Sequence, residues 1–355
     1  MIYPNQPNAV REPCTAVRVD RLTTQEHEQA LSFRYSLAAL CKSGTDTVCV
    51  TLLAGAGTRW VASLKASGMD FSFPVETPRG LYPVENFIGG SLQKLPLAAY
   101  SLDAVRNLGK HAVVIRGWQT EIEQQVLAPL GIDSRTVVFV TQLPGPNGKA
   151  AGHGDAIWQA REAWMNSRYV ITNFGGDANS PITARAGLAM MKMLDEAGIE
   201  IGLLLPTAIQ KNPAYPVVLD ESGLPVSFGH NKLGGTTSTT VTAIPRRADG
   251  YAYTNVGIRI YRKDWLLRAI SEIRSNFWSP DAGYEIPGND PAGHEFALDN
   301  VDAWLASKNM ARIAAIANPE ELTPAKSFSD IGKFEAAVRE VRKEWDIFLS
   351  LQKTL

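Results

Sequence analysis

The sequence predicts an α/β protein with a largely parallel central sheet that helices cover on both faces. Short apolar runs with strand character recur along the chain, segments of helical periodicity separate them, and the connections are short. The composition agrees, since 45% hydrophobic and 20% charged residues in a chain of 355 suffice to bury a substantial core. In such a fold, ligands bind at the carboxyl ends of the strands.

Each element follows from a local pattern. In residues 1–45 a Pro-rich lead precedes apolar residues at helical spacing, which predicts a helical extension. Buried strands are predicted at 46–53, 112–115, 136–141, 169–173 and 199–205, and helices at 120–130 and 155–166. Pro, Gly, Ser and Thr dominate residues 212–249 and predict hairpins in a lid-like insertion. An alternating strand is predicted at 251–261 and helices at 263–277 and 330–351.

These elements divide the chain into three predicted parts. Residues 1–45 form the N-terminal helical extension, and residues 46–335 form one domain that contains the irregular insertion at 212–249. A C-terminal helix over 336–355 packs on that domain. The sequence does not predict the oligomeric state.

The charge and the apolar patterning exclude two broad classes. The chain has 35 Lys and Arg against 36 Asp and Glu, a balance that argues against an electrostatic nucleic-acid binder. No run approaches the roughly 20 apolar residues of a membrane helix, and the start lacks the apolar segment of a secretory signal, so a cytoplasmic location is expected. Cys14, Cys41 and Cys49 are expected to be reduced thiols with a packing role.

The strongest local signal is a glycine loop, Leu53-Ala54-Gly55-Ala56-Gly57-Thr58-Arg59, directly after the first predicted strand. Glycines let successive backbone N–H groups approach phosphate oxygens, and Arg59 adds a charged donor. The loop is not a P-loop, because no GK[ST] follows, and it lacks the GxGxxG pattern, which disfavours a nicotinamide-dependent oxidoreductase. The alternative is a glycine-rich turn with a surface arginine.

Residues 52–59 resemble the LxxGxGTR signature of the sugar-1-phosphate nucleotidylyltransferases, the family of N-acetylglucosamine-1-phosphate uridyltransferase and UDP-glucose pyrophosphorylase. Later segments resemble further elements of that family in the family's order, and together they cover most of residues 46–335. They are 78–84 (PKxLxPV), 152–156 (GHGD), 173–177 (GD), 253–258 (NxGIY), 294–300 (EYxLTD) and 329–332 (DxG). The resemblance implies a Rossmann-like three-layer α/β/α sandwich with a mostly parallel mixed sheet, of the nucleotide-diphospho-sugar transferase type.

The resemblance implies a nucleotide side of the site. Its members are Leu53, Ala54, Gly55, Ala56, Gly57, Thr58, Gln142, Gly152 and His153, with Arg59 and Arg79 as catalytic cations. Gln142 and Gly152 match positions that hydrogen-bond the edge of uracil or thymine, which favours UTP. Arg79 stands where the family has a phosphate-binding lysine, and Lys65 is an alternative cation. His153 either contacts the nucleotide or caps a helix.

The resemblance also implies a metal and a sugar side. Asp177 matches the catalytic carboxylate that holds Mg²⁺, a cation that prefers oxygen ligands, and the alternative is a turn aspartate. Asp330 matches the second metal ligand, although a helix N-cap explains it equally well, and Asp299 is the fallback. Gly176, Asn255, Gly257 and Glu295 match sugar-binding positions. A strand with a glycine bulge is the alternative for Asn255 and Gly257.

The implied reaction is a Mg²⁺-dependent transfer of a nucleotide. A sugar 1-phosphate and a nucleoside triphosphate, UTP by preference, would give a nucleotide sugar and pyrophosphate. The alternative is a regulatory protein that binds nucleotide sugars with little or no turnover, because arginine replaces the usual lysine at position 79.

Overall fold

The computed structural model describes residues 24–55, 57–67, 77–88, 91–211, 216–220, 223–228, 251–287 and 295–354. The helices are α1 (Thr24–Leu40), α2 (Thr58–Ser67), α3 (Leu97–Val105), α4 (Gln119–Ile122), α5 (His153–Gln159), α6 (Arg161–Trp164), α7 (Pro181–Glu196), α8 (Lys263–Phe277), α9 (Leu298–Ser307) and α10 (Ile331–Thr354). The strands are β1 (Thr47–Leu52), β2 (Pro83–Ile88), β3 (Ser91–Pro96), β4 (Lys110–Ile115), β5 (Val137–Thr141), β6 (Tyr169–Phe174), β7 (Leu203–Lys211), β8 (Val217–Leu219), β9 (Pro225–Phe228), β10 (Tyr251–Asn255), β11 (Ile258–Arg262), β12 (Trp278–Ser279), β13 (Gly283–Tyr284) and β14 (Ala311–Ala314).

Eight of the described strands form one sheet, in the order β10-β7-β11-β6-β1-β4-β5 with β14 beside β7. The pairs β6–β1, β1–β4, β4–β5 and β7–β14 are parallel, whereas β11 is antiparallel to both of its neighbours and β10 is antiparallel to β7. The predicted α/β class with a mixed, mostly parallel sheet is therefore confirmed.

Successive side chains along each strand point to opposite faces of the sheet, so a hydrophobic core forms on each face. On β1, Val48 and Val50 pack into a cluster with α5, α8 and α9, while Cys49 between them packs into a second cluster with α1, α7 and α10. Three layers result, with the sheet in the middle. Cys41 and Cys49 are buried free thiols, and burial raises the pKa of each, which agrees with a packing role. Cys14 lies outside the described residues.

Three predicted boundaries differ from the structure. The run 251–261 forms two strands, β10 and β11, which are both antiparallel to β7 and are separated by Val256 and Gly257, not one strand. The last helix begins at Ile331, which agrees with the helix predicted at 330–351 and lies before the predicted part boundary at residue 336. The strand predicted at 199–205 starts later and runs longer as β7, because Gly198 with φ of +71° closes the preceding helix and delays the extended chain.

Of the N-terminal extension, residues 1–23 lie outside the described part, and α1 forms the remainder. Within the insertion 212–249, the described strands β8 and β9 form a hairpin. No helix in the described part of the chain is long and apolar enough to cross a membrane.

The parallel arrangement of β4, β1 and β6 determines where the site lies. The carboxyl ends of parallel strands share one edge of a sheet, so the segments after β1, β4 and β6 are neighbours there.

Candidate active site

A cleft of about 250 Å³ opens at the carboxyl ends of β1 and β4. Its lining comes from the glycine loop and α2 (Leu53, Gly55, Gly57, Trp60, Val61), from residues 77–81, and from Ile115, Arg116, Gly117, Trp118 and Ile122. Gly57 has φ of +61° and leads straight into α2, so glycine is favoured there by the backbone as well as by access to a ligand. The helix amino terminus adds backbone N–H groups that suit an anion.

Not every predicted residue of the glycine loop can be placed. Ala54 is buried in the core behind the loop, and Gly55 is exposed at the cleft. Ala56 and the side chains of Thr58 and Arg59 lie outside the described residues. Lys65, the alternative cation, is exposed in the last turn of α2 and does not line the cleft.

Three segments far apart in sequence meet beside this loop. A Cβ on Gly175 would overlap the side chain of Leu53, and one on Gly80 would lie 3.3 Å from the same side chain. A Cβ on Gly176 would lie 2.6 Å from Nη2 and 2.8 Å from Cζ of Arg79. The Arg79 guanidinium therefore lies directly against the Gly176 backbone, next to Asp177. The structure brings these predicted residues together.

A chain of buried polar groups holds the Asp177 turn in place. Thr51 Oγ1 donates to Asn173 Oδ1 (2.8 Å), and Asn173 Nδ2 donates to the Ser101 carbonyl (2.6 Å). Ser101 Oγ in turn lies 2.7 Å from the Phe174 carbonyl and 3.2 Å from the Asp177 carbonyl. Because each of these side chains is paired, the turn after β6 is fixed to both β1 and α3.

The Asp177 carboxylate is half-buried among positive charges. Burial raises the pKa of Asp177, and the positive charges of Arg79, Lys326 and Arg259 oppose that rise. Lys326 is brought near because residues 324–325 pair with the turn, with the Ala325 N–H donating to the Gly176 carbonyl (3.0 Å). The surroundings therefore suit a polyanionic ligand.

Arg259 is held in the protein by a buried ion-pair network. Its Nε donates to Asp302 Oδ2 (2.7 Å) and its Nη2 to Asp299 Oδ1 (2.6 Å), while Tyr261 donates to Asp302 Oδ1 (2.6 Å). Burial alone would lower the pKa of Arg259, but the two aspartates raise it, so the guanidinium stays charged. Its Cζ lies 5.4 Å from the centre of the Phe174 ring.

Two of the predicted sugar-side residues lie beside Asp177: Gly176 precedes it in the chain, and Gly257 packs against its carboxylate. A Cβ on Gly257 would overlap Asp177 Oδ2 and lie 2.9 Å from Asn179 Oδ1. Asn255 Oδ1 and both amide atoms of Asn179 are buried and have no hydrogen-bond partner in the described part of the chain. The structure therefore places Gly176, Asp177 and Gly257 together, with unpaired amides beside them.

Gln142 and Gly152, both assigned to the nucleotide side, lie in contact. Gln142 Nε2 donates to the Gly152 carbonyl (2.9 Å), and the side chain is buried. Gly152 has φ of +93°, and a Cβ there would overlap the Phe296 backbone. Phe296 pairs with this segment through N–H donation to the Ala151 carbonyl (2.8 Å), which places the exposed Glu295 at the Gly152 loop.

His153 is the first residue of α5 and is exposed at the mouth of the site. Its ring lies edge-on to Phe174, with 5.1 Å between ring centres. The helix follows Gly152, which has no side chain to cap it. The position is compatible with contact to a ligand.

The second predicted metal ligand is engaged in local structure. Asp330 Oδ2 accepts hydrogen bonds from the N–H and the Oγ of Ser327, both at 2.7 Å, and so caps the short helical turn before α10. Asp299, the fallback, pairs with Arg259. Among the described residues, no group of three or more His, Cys, Asp and Glu side chains could hold a metal ion. Asp177 with neighbouring amide oxygens forms the oxygen donor set that fits Mg²⁺.

Sequence reasoning missed four residues of the site. Arg116 and Trp118 line the cleft directly after the predicted strand 112–115, so their position at a strand end could have revealed them. Trp118 has φ of 65°, rare for a bulky side chain and a mark of strain that functional sites often hold. Asn179 follows Asp177 by two residues. Nothing local marks Lys326, since the pairing of distant segments brings it in.

No family model matches this chain, and no curated protein matches it. Among solved structures, the inositol-1-phosphate CTP transferase from T. maritima is similar, with 15% sequence identity and a TM-score of 0.49. The similarity covers 85% of this chain and 98% of that one. The function proposed below rests on the residues of this chain's own site.

Proposed function

We propose that this protein is a Mg²⁺-dependent nucleotidylyltransferase. It joins the phosphate of a sugar 1-phosphate, or of a similar phosphorylated acceptor, to a nucleoside triphosphate, with UTP as the preferred nucleotide. The observation that carries the proposal is the meeting of the glycine loop, Arg79 and Gly176-Asp177 at one edge of the sheet. Their resemblance to the family's elements and their proximity are independent of each other.

The chemistry requires charge neutralisation and alignment rather than a general base. An oxygen of the acceptor phosphate bonds to the α-phosphorus, the bond from that phosphorus to its bridging oxygen breaks, and pyrophosphate leaves with the electron pair. The attacking oxygen is already ionised, so positioning and electrostatic stabilisation suffice.

The cationic residues have distinct places in this scheme. The glycine-loop amides and Arg59 bind the β- and γ-phosphates, and Arg79 binds near the α-phosphate, where a guanidinium can donate two hydrogen bonds. Lys326 lies near enough to influence Asp177 and supplies an ammonium on the same side. Mg²⁺ bound at Asp177 would neutralise further phosphate charge.

The base and the acceptor are assigned to different residues of the site. Gln142 donates one amide proton to Gly152, which leaves its carbonyl oxygen and second proton for the adjacent N–H and C=O of a pyrimidine. Asn255, Gly257 and Gly176 are proposed to contact the acceptor, and Glu295 to bind its hydroxyl groups. Because Glu295 lies at the Gly152 loop, it would reach the acceptor from that side.

A thermal-shift screen of UTP, CTP, GTP, ATP and dTTP with Mg²⁺, followed by a pyrophosphate-release assay with sugar and polyol phosphates, tests the proposal. We expect the largest stabilisation with UTP, and turnover with at least one acceptor that Asp177→Ala abolishes. A clear preference for another nucleotide would overturn UTP and leave the reaction class standing. Stabilisation by no nucleotide would refute the reaction class.

The second candidate is a nucleotide-sugar-binding protein with little turnover. It is favoured by one observation, the planar Arg79 guanidinium lying on Gly176 where a lysine is usual. Nucleotide binding without pyrophosphate release across the acceptor panel would support this candidate.

A further inference from the structure

We infer that Asn179 is a ligand of the divalent cation at Asp177, so that a neutral amide oxygen and a carboxylate bind the ion together. The inference rests on the proposed function for the presence of the cation, and assigns to it a residue outside the family resemblance. Four observations on the described residues carry it.

Asn179 and Asp177 lie on one tight turn. The Asn179 N–H donates to the Asp177 carbonyl (2.9 Å), and the two side-chain oxygens lie beside the same Gly257 backbone. A Cβ at position 257 would overlap Asp177 Oδ2 and crowd Asn179 Oδ1 at 2.9 Å. The absence of a side chain at Gly257 leaves room for both oxygens at the same place.

The Asn179 amide is buried and unpaired. The side chain is 4% exposed, and neither Oδ1 nor Nδ2 has a hydrogen-bond partner. Buried amides are almost always hydrogen-bonded, because desolvation of an unpaired amide is unfavourable. The side chains of the neighbouring residues Asn173 and Ser180 do form hydrogen bonds. The missing partners are therefore specific to Asn179 and are not a general property of this segment.

The donor types fit a hard cation. Mg²⁺ and Mn²⁺ prefer oxygen, and Mg²⁺ typically takes one or two protein ligands and completes its shell with water and phosphate oxygens. The described residues offer no cluster of three acidic, histidine or cysteine side chains, so amide oxygen is the donor available beside Asp177. Asp330 is engaged in capping Ser327.

The charge balance explains why an amide is suitable. Arg79, Lys326 and Arg259 already act on Asp177, and the site must remain positive to attract a triphosphate. A neutral second ligand adds an oxygen without adding negative charge. The cation should accordingly bind weakly to the protein alone and more tightly together with nucleotide, whose phosphates supply further oxygens.

The test measures Mn²⁺ binding to the full chain by the electron paramagnetic resonance signal of free Mn²⁺, alone and with the non-hydrolysable nucleotide α,β-methylene-UTP. We expect Asn179→Ala to weaken Mn²⁺ binding by about tenfold, the scale seen when metal-site groups are removed. Asn179→Asp, which keeps the size and adds a charged oxygen, should bind the ion alone several-fold more tightly. Exposed Asn107 precedes β4, at the opposite edge of the sheet, so Asn107→Ala is the matched control and should bind as wild type.

Thermal unfolding without metal verifies that each variant is folded. Wild-type Mn²⁺ affinity in both Asn179 variants, with affinity lost in Asp177→Ala, would overturn the inference and leave the proposed function standing. No Mn²⁺ binding by the wild type under either condition would overturn it as well. Failure of the proposed function gives a different result, since nucleotides would then not stabilise the wild-type protein at all.

Discussion

Gly176→Ala should impair catalysis while leaving stability nearly unchanged. The new Cβ would lie 2.6 to 2.9 Å from Nη2, Cζ and Nε of Arg79. These atoms are the end of a flexible side chain, so the guanidinium can rotate away at small cost. Gly176 does not need a left-handed backbone, and alanine can adopt its conformation. The expected change in unfolding free energy is below about 1 kcal/mol.

The catalytic effect is larger because the displaced group binds phosphate in the proposed reaction. A hydrogen bond to a charged group contributes about 1.5 to 3 kcal/mol, which corresponds to a loss of roughly 10- to 150-fold in kcat/KM. Displacement by about 1 Å gives a loss of similar size, about 100-fold.

The assay is pyrophosphate release at saturating Mg²⁺, with urea denaturation run on the same preparations. Gly332→Ala is the matched control: it makes the same chemical change in α10, where a Cβ meets no atom within 4 Å. We expect wild-type rates there. Wild-type kcat/KM for Gly176→Ala would refute the assigned role of Arg79, and a large stability loss would refute the view that the guanidinium yields easily.

Three further predictions follow from the same contacts. Gly152→Ala should lower the unfolding free energy in urea by about 2 to 4 kcal/mol, because φ is +93° and the new Cβ would overlap the Phe296 backbone. Gly148→Ala is the control, with φ of +72° and no atom near its Cβ, and should lose only about 1 kcal/mol. Equal losses in the two variants would contradict the role of the Phe296 backbone. Asp177→Asn should stabilise the protein at neutral pH, because burial raises the pKa of Asp177 in the folded state and so disfavours its ionised form. In urea unfolding curves, the difference in unfolding free energy between variant and wild type should vanish below the ordinary pKa of 3.8. A difference that does not depend on pH would contradict this prediction. Gln142→Leu should reduce the preference for UTP over ATP in thermal shifts, since the leucine cannot hydrogen-bond a pyrimidine edge, and an unchanged preference would remove Gln142 from base recognition.

The sheet was predictable where burial dominates the local pattern. The runs at 46–53, 112–115 and 169–173 became β1, β4 and β6, because strands buried on both faces are apolar throughout. The run at 136–141 became β5, which is partly exposed at the end of the strand order. The helix at 263–277 also matches α8. Residues 251–261 were wrongly predicted as a single strand. The break includes Gly257, which lies against Asp177, and the strand pattern does not reveal this contact with a distant segment.

In the candidate site, too, some residues could be predicted from local sequence and others could not. Arg79, Gly176 and Asp177 could be grouped from sequence because strand ends share an edge and the motifs keep a known order. Lys326 could not, because its neighbourhood depends on residues 324–325 pairing with the Asp177 turn. Asp330 shows the limit of motif matching, since a carboxylate before a helix suits a cap as well as a metal ligand.

Lys326 affects what arginine at position 79 implies about catalytic activity. A lysine acts on phosphate as a compact charge, whereas a guanidinium binds in a plane, and Arg79 lies flat enough on Gly176 that no side chain fits between them. Under the proposed function, the charge and the placement that the lysine of the resembled motif supplies would be divided between the Arg79 guanidinium and the Lys326 ammonium, both of which act on Asp177. Since both act on Asp177, the substitution at 79 does not by itself indicate lost turnover.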